Sequence, residues 1–140
     1  MGFTIDFSEF EKLRKQYKAM ENDFDSFLRN FLVEMAERIL AQTKPKTPHD
    51  TGALRNAWTL GDVTGSGSEI AVEILNPMEY ATDIEYGHRI VAGTGENKHE
   101  VGWYNGHFML KTSIESIQRQ MPLRYERQFK DFCMAHGLNP

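Results

Sequence analysis

Cysteine is nearly missing from this 140-residue chain: Cys133 stands alone, so neither an internal disulfide nor a Cys-x-x-Cys metal knuckle can form. A lone cysteine suits a reducing cytoplasm, and in an apolar helical setting with no activating base beside it Cys133 reads as a small apolar side chain rather than a nucleophile. Long apolar runs are missing too. No stretch reaches about eighteen apolar residues and no basic-then-apolar leader opens the sequence, so membrane insertion and secretion are not expected. Positive charge is scarce, with 16 Lys and Arg against 20 Asp and Glu. Residues 1–43 carry 6 basic and 8 acidic groups, residues 44–105 carry 5 and 9, and residues 106–140 carry 5 and 3. A protein that grips DNA by neutralising phosphates needs a basic stripe, which this distribution excludes. An acidic centre repels DNA, a useful sign for a surface past which DNA must slide, although ordinary solubility explains it equally well.

Enzymatic signatures are absent at the level of motif. Gly93-Thr94-Gly95 is followed by Glu96-Asn97-Lys98 and lacks the lysine-hydroxyl pair of a phosphate-binding loop. The histidines at 49, 88, 99, 107 and 136 form no His-Glu-x-x-His pattern, so no metal, cofactor or catalytic residue is assigned. Asp83 and Glu85 do not point the same way on a helix, but folding could bring either near Glu79 and create a cation site. A small divalent-metal-dependent nuclease is therefore the enzyme-class alternative.

The residues that are present describe a globular chain, 40% hydrophobic and 26% charged, read as one domain over residues 1–140. Phe10, Leu13, Tyr17, Met20, Phe24, Phe27 and Phe31 recur at steps of three and four, and Leu28, Leu32, Met35, Ile39 and Leu40 broaden the stripe. Ser8 and Glu11 read as a capping box, with Phe7 closing a hydrophobic staple, and Thr43-Lys44-Pro45 marks the far end. The expected helix covers residues 8–42, roughly 50 Å at 1.5 Å per residue, with a break near Asn22-Asp23 as the alternative. Residues 47–106 form the sheet and loop region. Strands are expected over Ala57 to Val63 and Glu69 to Leu75, joined at Gly65-Ser66-Gly67-Ser68, and the second ends at Asn76-Pro77. A helical turn from Glu79 to Ile84 follows and stops at Gly87. From Gly87 to Gly106 the period is lost, and the stretch reads as an extended loop or loose hairpin whose second arm holds Val101, Trp103 and Tyr104. Trp103 and Tyr104 are candidate interface anchors, while closure of the domain's own core accounts for Trp103 equally well. C-terminal helices over residues 107–137 complete the chain, the last expected to start at Pro122, with a basic face of Arg119, Arg124, Arg127 and Lys130. The fold class is α+β: a long N-terminal helix, a small antiparallel sheet with a β-hairpin, and C-terminal helices on one face.

Most informative is Thr47-Pro48-His49-Asp50-Thr51-Gly52-Ala53-Leu54-Arg55. Thr47 before proline favours extended backbone, Asp50 or Thr51 can cap a short helical turn, and Gly52 suggests a close approach or a non-helical dihedral angle. An ordinary capped turn between helix and strand accounts for the same residues. Taken with Asn76-Pro77, Tyr80-Ala81, Glu85-Tyr86-Gly87 and the run from Gly106 to Leu110, the series resembles the neck, or tail-completion, family of long-tailed double-stranded DNA phages and prophages of lambdoid type. His49 stands where that family commonly has an aliphatic residue, and the chain beyond Met121 is longer than a minimal member. The resemblance implies a structural, non-enzymatic virion protein that forms a ring of six copies at the head-tail junction, assembled in the host cytoplasm. Its implied partners are copies of itself, head-closure or connector proteins, and tail-tube or tail-terminator proteins, with DNA passing through unread and no membrane. The implied contact residues are Arg55, Tyr80, Glu85, Tyr86, His88, Arg89, Trp103 and Tyr104, with Arg55 expected to secure the first turn through the Glu85 carboxylate.

Overall fold

The computed structural model describes residues 8–65 and 70–138, with residues 8–14, 16 and 17 described by backbone alone. Helix α1 (Ser8–Lys46) is followed by a single turn α2 (Ala53–Asn56), strands β1 (Thr59–Thr64) and β2 (Ala71–Leu75), and short helix α3 (Ala81–Tyr86). Strand β3 (Gly87–Ala92), a 3-10 turn at Gly95–Asn97, strand β4 (His99–Asn105) and helix α4 (Met109–Ala135) complete the order. The α+β class expected of the sequence is the one observed. The Ser8–Glu11 capping box, the Phe7 staple, the side chains of Phe10, Leu13 and Tyr17, and the joint at Ser66–Ser68 with Glu69 lie outside what is described.

Helix α1 is unbroken at Asn22-Asp23 and four residues longer than its expected end, continuing through Pro45. Proline's fixed φ suits a helix, and this close to the C-terminus its missing amide forfeits only one backbone bond. The Thr43 hydroxyl donates to the Ile39 carbonyl at 2.7 Å, and the Thr47 amide closes on the Lys44 carbonyl at 3.1 Å. Helix α4 likewise runs through Pro122, so the two expected C-terminal helices are one. Packing overrides propensity there: Ile117 on one side of the proline is fully buried, and Tyr125 on the other stacks edge-on against Phe31 at 5.3 Å.

Helices α1 and α4 run antiparallel, Asp23 meeting His136 at one end and Lys46 reaching the Thr112 hydroxyl at the other. Phe31, Met35 and Ile39 of α1 and Ile117 of α4 make one buried cluster, against which Ile74, Ile114 and Met121 pack. Beyond it the interface is aromatic, with Phe27 and Phe132 at 4.9 Å between centroids and Phe24 in contact with both Phe129 and Phe132. A second cluster gathers Leu54, Trp58, Ala81 and Met109 and is bridged to the first by Ile74 and Leu110.

The strands form two separate antiparallel ribbons rather than one sheet. Strands β1 and β2 pair with Leu60 opposite Ile74 and lie on α1. The arm carrying Trp103 does not join them; it pairs with β3. Periodicity failed to disclose this second ribbon because its side chains are exposed on both faces, so no hydrophobic alternation marks the strands.

Candidate functional site

The Thr47–Arg55 segment turns out to be a fastening. Thr47 is 1% exposed; its hydroxyl donates to the Thr43 carbonyl at 2.8 Å and accepts from the Trp58 indole N–H at 2.9 Å. The segment thus ties the end of α1 to the second core cluster. Gly52 holds φ +83° at the start of α2, a conformation that side chains rarely adopt, and the Thr51 hydroxyl accepts from the Ala53 amide at 3.3 Å. Asn76 extends the fastening, its amide donating to the Leu54 carbonyl at 2.9 Å while its oxygen accepts from the Met78 amide at 3.1 Å.

The expected Arg55–Glu85 pair is not made. Arg55 donates to the Thr47 carbonyl at 3.0 Å, and its Nε is buried without a partner. Glu85 is 4% exposed and spends both carboxylate oxygens on α4, accepting from the Leu110 amide at 3.0 Å and the Lys111 amide at 2.9 Å. A carboxylate supplied by α3 therefore caps α4, satisfying amides that have no partner within the helix and complementing its positive end. Glu85 positions the site from within and is not available as a surface contact. Nor does it meet Asp83 and Glu79 at a cation site: among the described residues no three His, Cys, Asp or Glu side chains form a metal-holding group.

The other candidates gather on and around the β3–β4 ribbon. Its base is pinned by the His107 amide to the Ile84 carbonyl at 2.9 Å and the Phe108 amide to the Glu85 carbonyl at 3.0 Å. Gly87 and Gly106 face each other there. A methyl group on Gly87 would strike the Tyr104 carbonyl oxygen, and one on Gly106 would lie 2.5 Å from that of Glu85. Above this joint the register sets Arg89 opposite Trp103 and Val91 opposite Glu100 on one face, and His88 opposite Tyr104 and Ile90 opposite Gly102 on the other. His88 stacks on Tyr104 at 5.0 Å, and the Tyr104 hydroxyl meets His107 Nε2 at 2.9 Å. Arg89 and Glu100 pair loosely at 3.7 Å.

Trp103 is 54% exposed and Val91 53%, with Ile90 and Val101 comparably open, so Trp103 does not close the domain's own core; Trp58 does that. Tyr86 and Phe108 extend the apolar surface at the ribbon's foot, their rings edge to face at 6.4 Å. Phe108 holds φ +47°, and a bulky residue in that region is strained. From the sequence, Phe108 reads as the first residue of a helix over Phe108 to Gln120, on its apolar side with Leu110, Ile114 and Ile117; instead it stands exposed just before α4, and no local motif announces a left-handed phenylalanine. Tyr80 lies apart from the exposed apolar face, lining with Pro48, Asp50, Leu54, Ile84 and Tyr104 a recess of about 390 Å³.

The family model described as "Bacteriophage HK97-gp10, putative tail-component" matches residues 11–87. No curated protein and no solved structure matched the chain.

Proposed function

The chain belongs to the HK97-gp10-like family of bacteriophage tail components, and from that premise we propose that it forms a ring at the junction of head and tail, completing the tail or neck. The ring is of six copies, with head-closure or connector proteins on one side and tail-tube or tail-terminator proteins on the other. DNA passes through it unread, in keeping with the acidic charge of residues 44–105. The role is structural rather than catalytic, and the protein resides in the virion after assembly in the host cytoplasm.

The observation that carries this reading is the β3–β4 ribbon: apolar and aromatic side chains stand exposed together on both of its faces, whereas on helix α4 Leu123 and Met134 are exposed singly and Ile117 and Cys133 are buried. Surface of that kind marks a protein contact. The nuclease alternative finds no comparable support, since Glu85 is committed to the amides of α4. Particles assembled from the surrounding genes with and without this chain test the proposal. Filled heads and separate tails in its absence, rejoined when it is added back, are expected; normally joined particles would remove the joining role.

A further inference from the structure

A two-stranded ribbon standing alone is marginally stable in water, and its two outer edges are templates for further strands. Among the described residues the sheet of β3 and β4 contains no third strand, and the ribbon's contact with the body runs chiefly through α3 at its foot. Both faces are apolar and open, through Trp103 and Val91 on one and Ile90 on the other. Among the described residues the ribbon has no neighbour along either edge.

The charges say which neighbour fits. Strand β3 carries the cation Arg89, and β4 carries the anion Glu100 on the same face. Laying β3 beside the β3 of another copy would set arginine against arginine. Laying β4 beside β4 would set glutamate against glutamate. Only β3 of one copy beside β4 of the next surrounds each strand by strands of opposite charge, and like charges directly opposed are unfavourable. The directions agree as well. Because β3 and β4 are antiparallel, ribbons that all point the same way present β3 to β4 antiparallel at every joint. This contact is head-to-tail, uses two different edges of the subunit, and closes into a ring if its rotation permits.

We propose that the β3–β4 ribbons of successive copies pair edge to edge, β3 to β4, into a continuous antiparallel sheet. The inference rests on the ring reading above but can fail independently of it. The test uses full-length chains in which Cys133 is replaced by serine and one new cysteine is introduced: Arg89→Cys in one preparation, Glu100→Cys in the other. A short bis-maleimide, which tolerates a one-residue slip in register, is added to each preparation and to their mixture. Edge pairing of the proposed kind is read as covalent dimers in the mixture and none in either preparation alone. Dimers within the Arg89→Cys or the Glu100→Cys preparation would establish a like-edge contact and overturn the proposal. Absence of dimers everywhere would also overturn it. Both cysteine variants are also added back to particles lacking the chain. Restored joining without the mixed cross-link would sink the edge pairing and leave the junction role standing, whereas particles that join normally in the chain's absence would remove the ring reading itself.

Discussion

Glu85 and Thr47 show how single side chains hold this structure in place of long hydrophobic runs. Glu85→Ala leaves two amides at the start of α4 without their carboxylate, and the expected loss is about 1–3 kcal/mol in urea unfolding; an unchanged midpoint would show that water replaces the cap freely. Trp58→Phe keeps most of the buried ring but removes the donor to Thr47, for about 1 kcal/mol. Both roles were only half legible in the sequence. The spacing identified Thr47, Gly52, Arg55 and Glu85 as a set, yet attraction between Arg55 and Glu85 was the natural reading of opposite charges. Helix amides can partner a carboxylate as well as a cation can, and which of the two Glu85 finds depends on how α3 meets the start of α4. That meeting point lies 25 residues along the chain from Glu85, beyond the reach of any local pattern.

At the scale of elements, α1 and α4 are joined by groups that titrate in opposite directions. His136 donates from Nδ1 to the Phe132 carbonyl at 2.8 Å and from Nε2 to Asp23 at 2.9 Å, an arrangement that requires both ring nitrogens protonated. Its pKa is raised above the ordinary 6.5, first by the Phe132 carbonyl and then by Asp23. That contribution is complete below pH 6.5 and is lost as the pH climbs through the raised value. Glu34 accepts from the Gln128 amide at 2.7 Å and pairs with Arg38, and the Gln128 bond followed by Arg38 holds its pKa below 4.5. Its contribution is complete above pH 4.5 and is lost as the pH falls through the lowered value. The helix pair is therefore expected to be most stable between pH 4.5 and 6.5. In His136→Gln the alkaline decline of the thermal midpoint should vanish while the acid decline stays. A decline that survives the substitution would assign it to another group. The helices themselves were readable from their stripes, but their ends were not. Pro45 and Pro122 are strong local stop signals, and only the packing of Ile117, Tyr125 and Phe31 across the interface explains why α4 continues past one of them.

For the whole molecule, the division between a body built around two buried apolar clusters and a ribbon that displays its apolar groups on both faces separates folding from assembly. Trp103→Ala is expected to change stability by no more than about 0.5 kcal/mol, since the side chain is more than half exposed, yet to abolish joining in the add-back assay. A variant that unfolds would return Trp103 to a structural role. The sequence marked Trp103 and Tyr104 as anchors without revealing the strands that carry them. A ribbon open on both faces has no buried side to leave a period of two, so its order is written in pairing alone.

The facing glycines at the ribbon's foot have a consequence for anyone wishing to label or tag this protein. Gly87 and Gly106 have no room for even a methyl group, so a saturation scan should find both codons closed to every replacement. Gly95, in the turn at the opposite end, has nothing within 4 Å of its would-be Cβ, and its φ of +57° is one that asparagine tolerates. Fluorophores or short epitopes inserted there would ride at the far end of a lever whose fulcrum is fixed by backbone contact. Movement of such a probe would then report displacement of the ribbon as a unit rather than looseness where it meets the body.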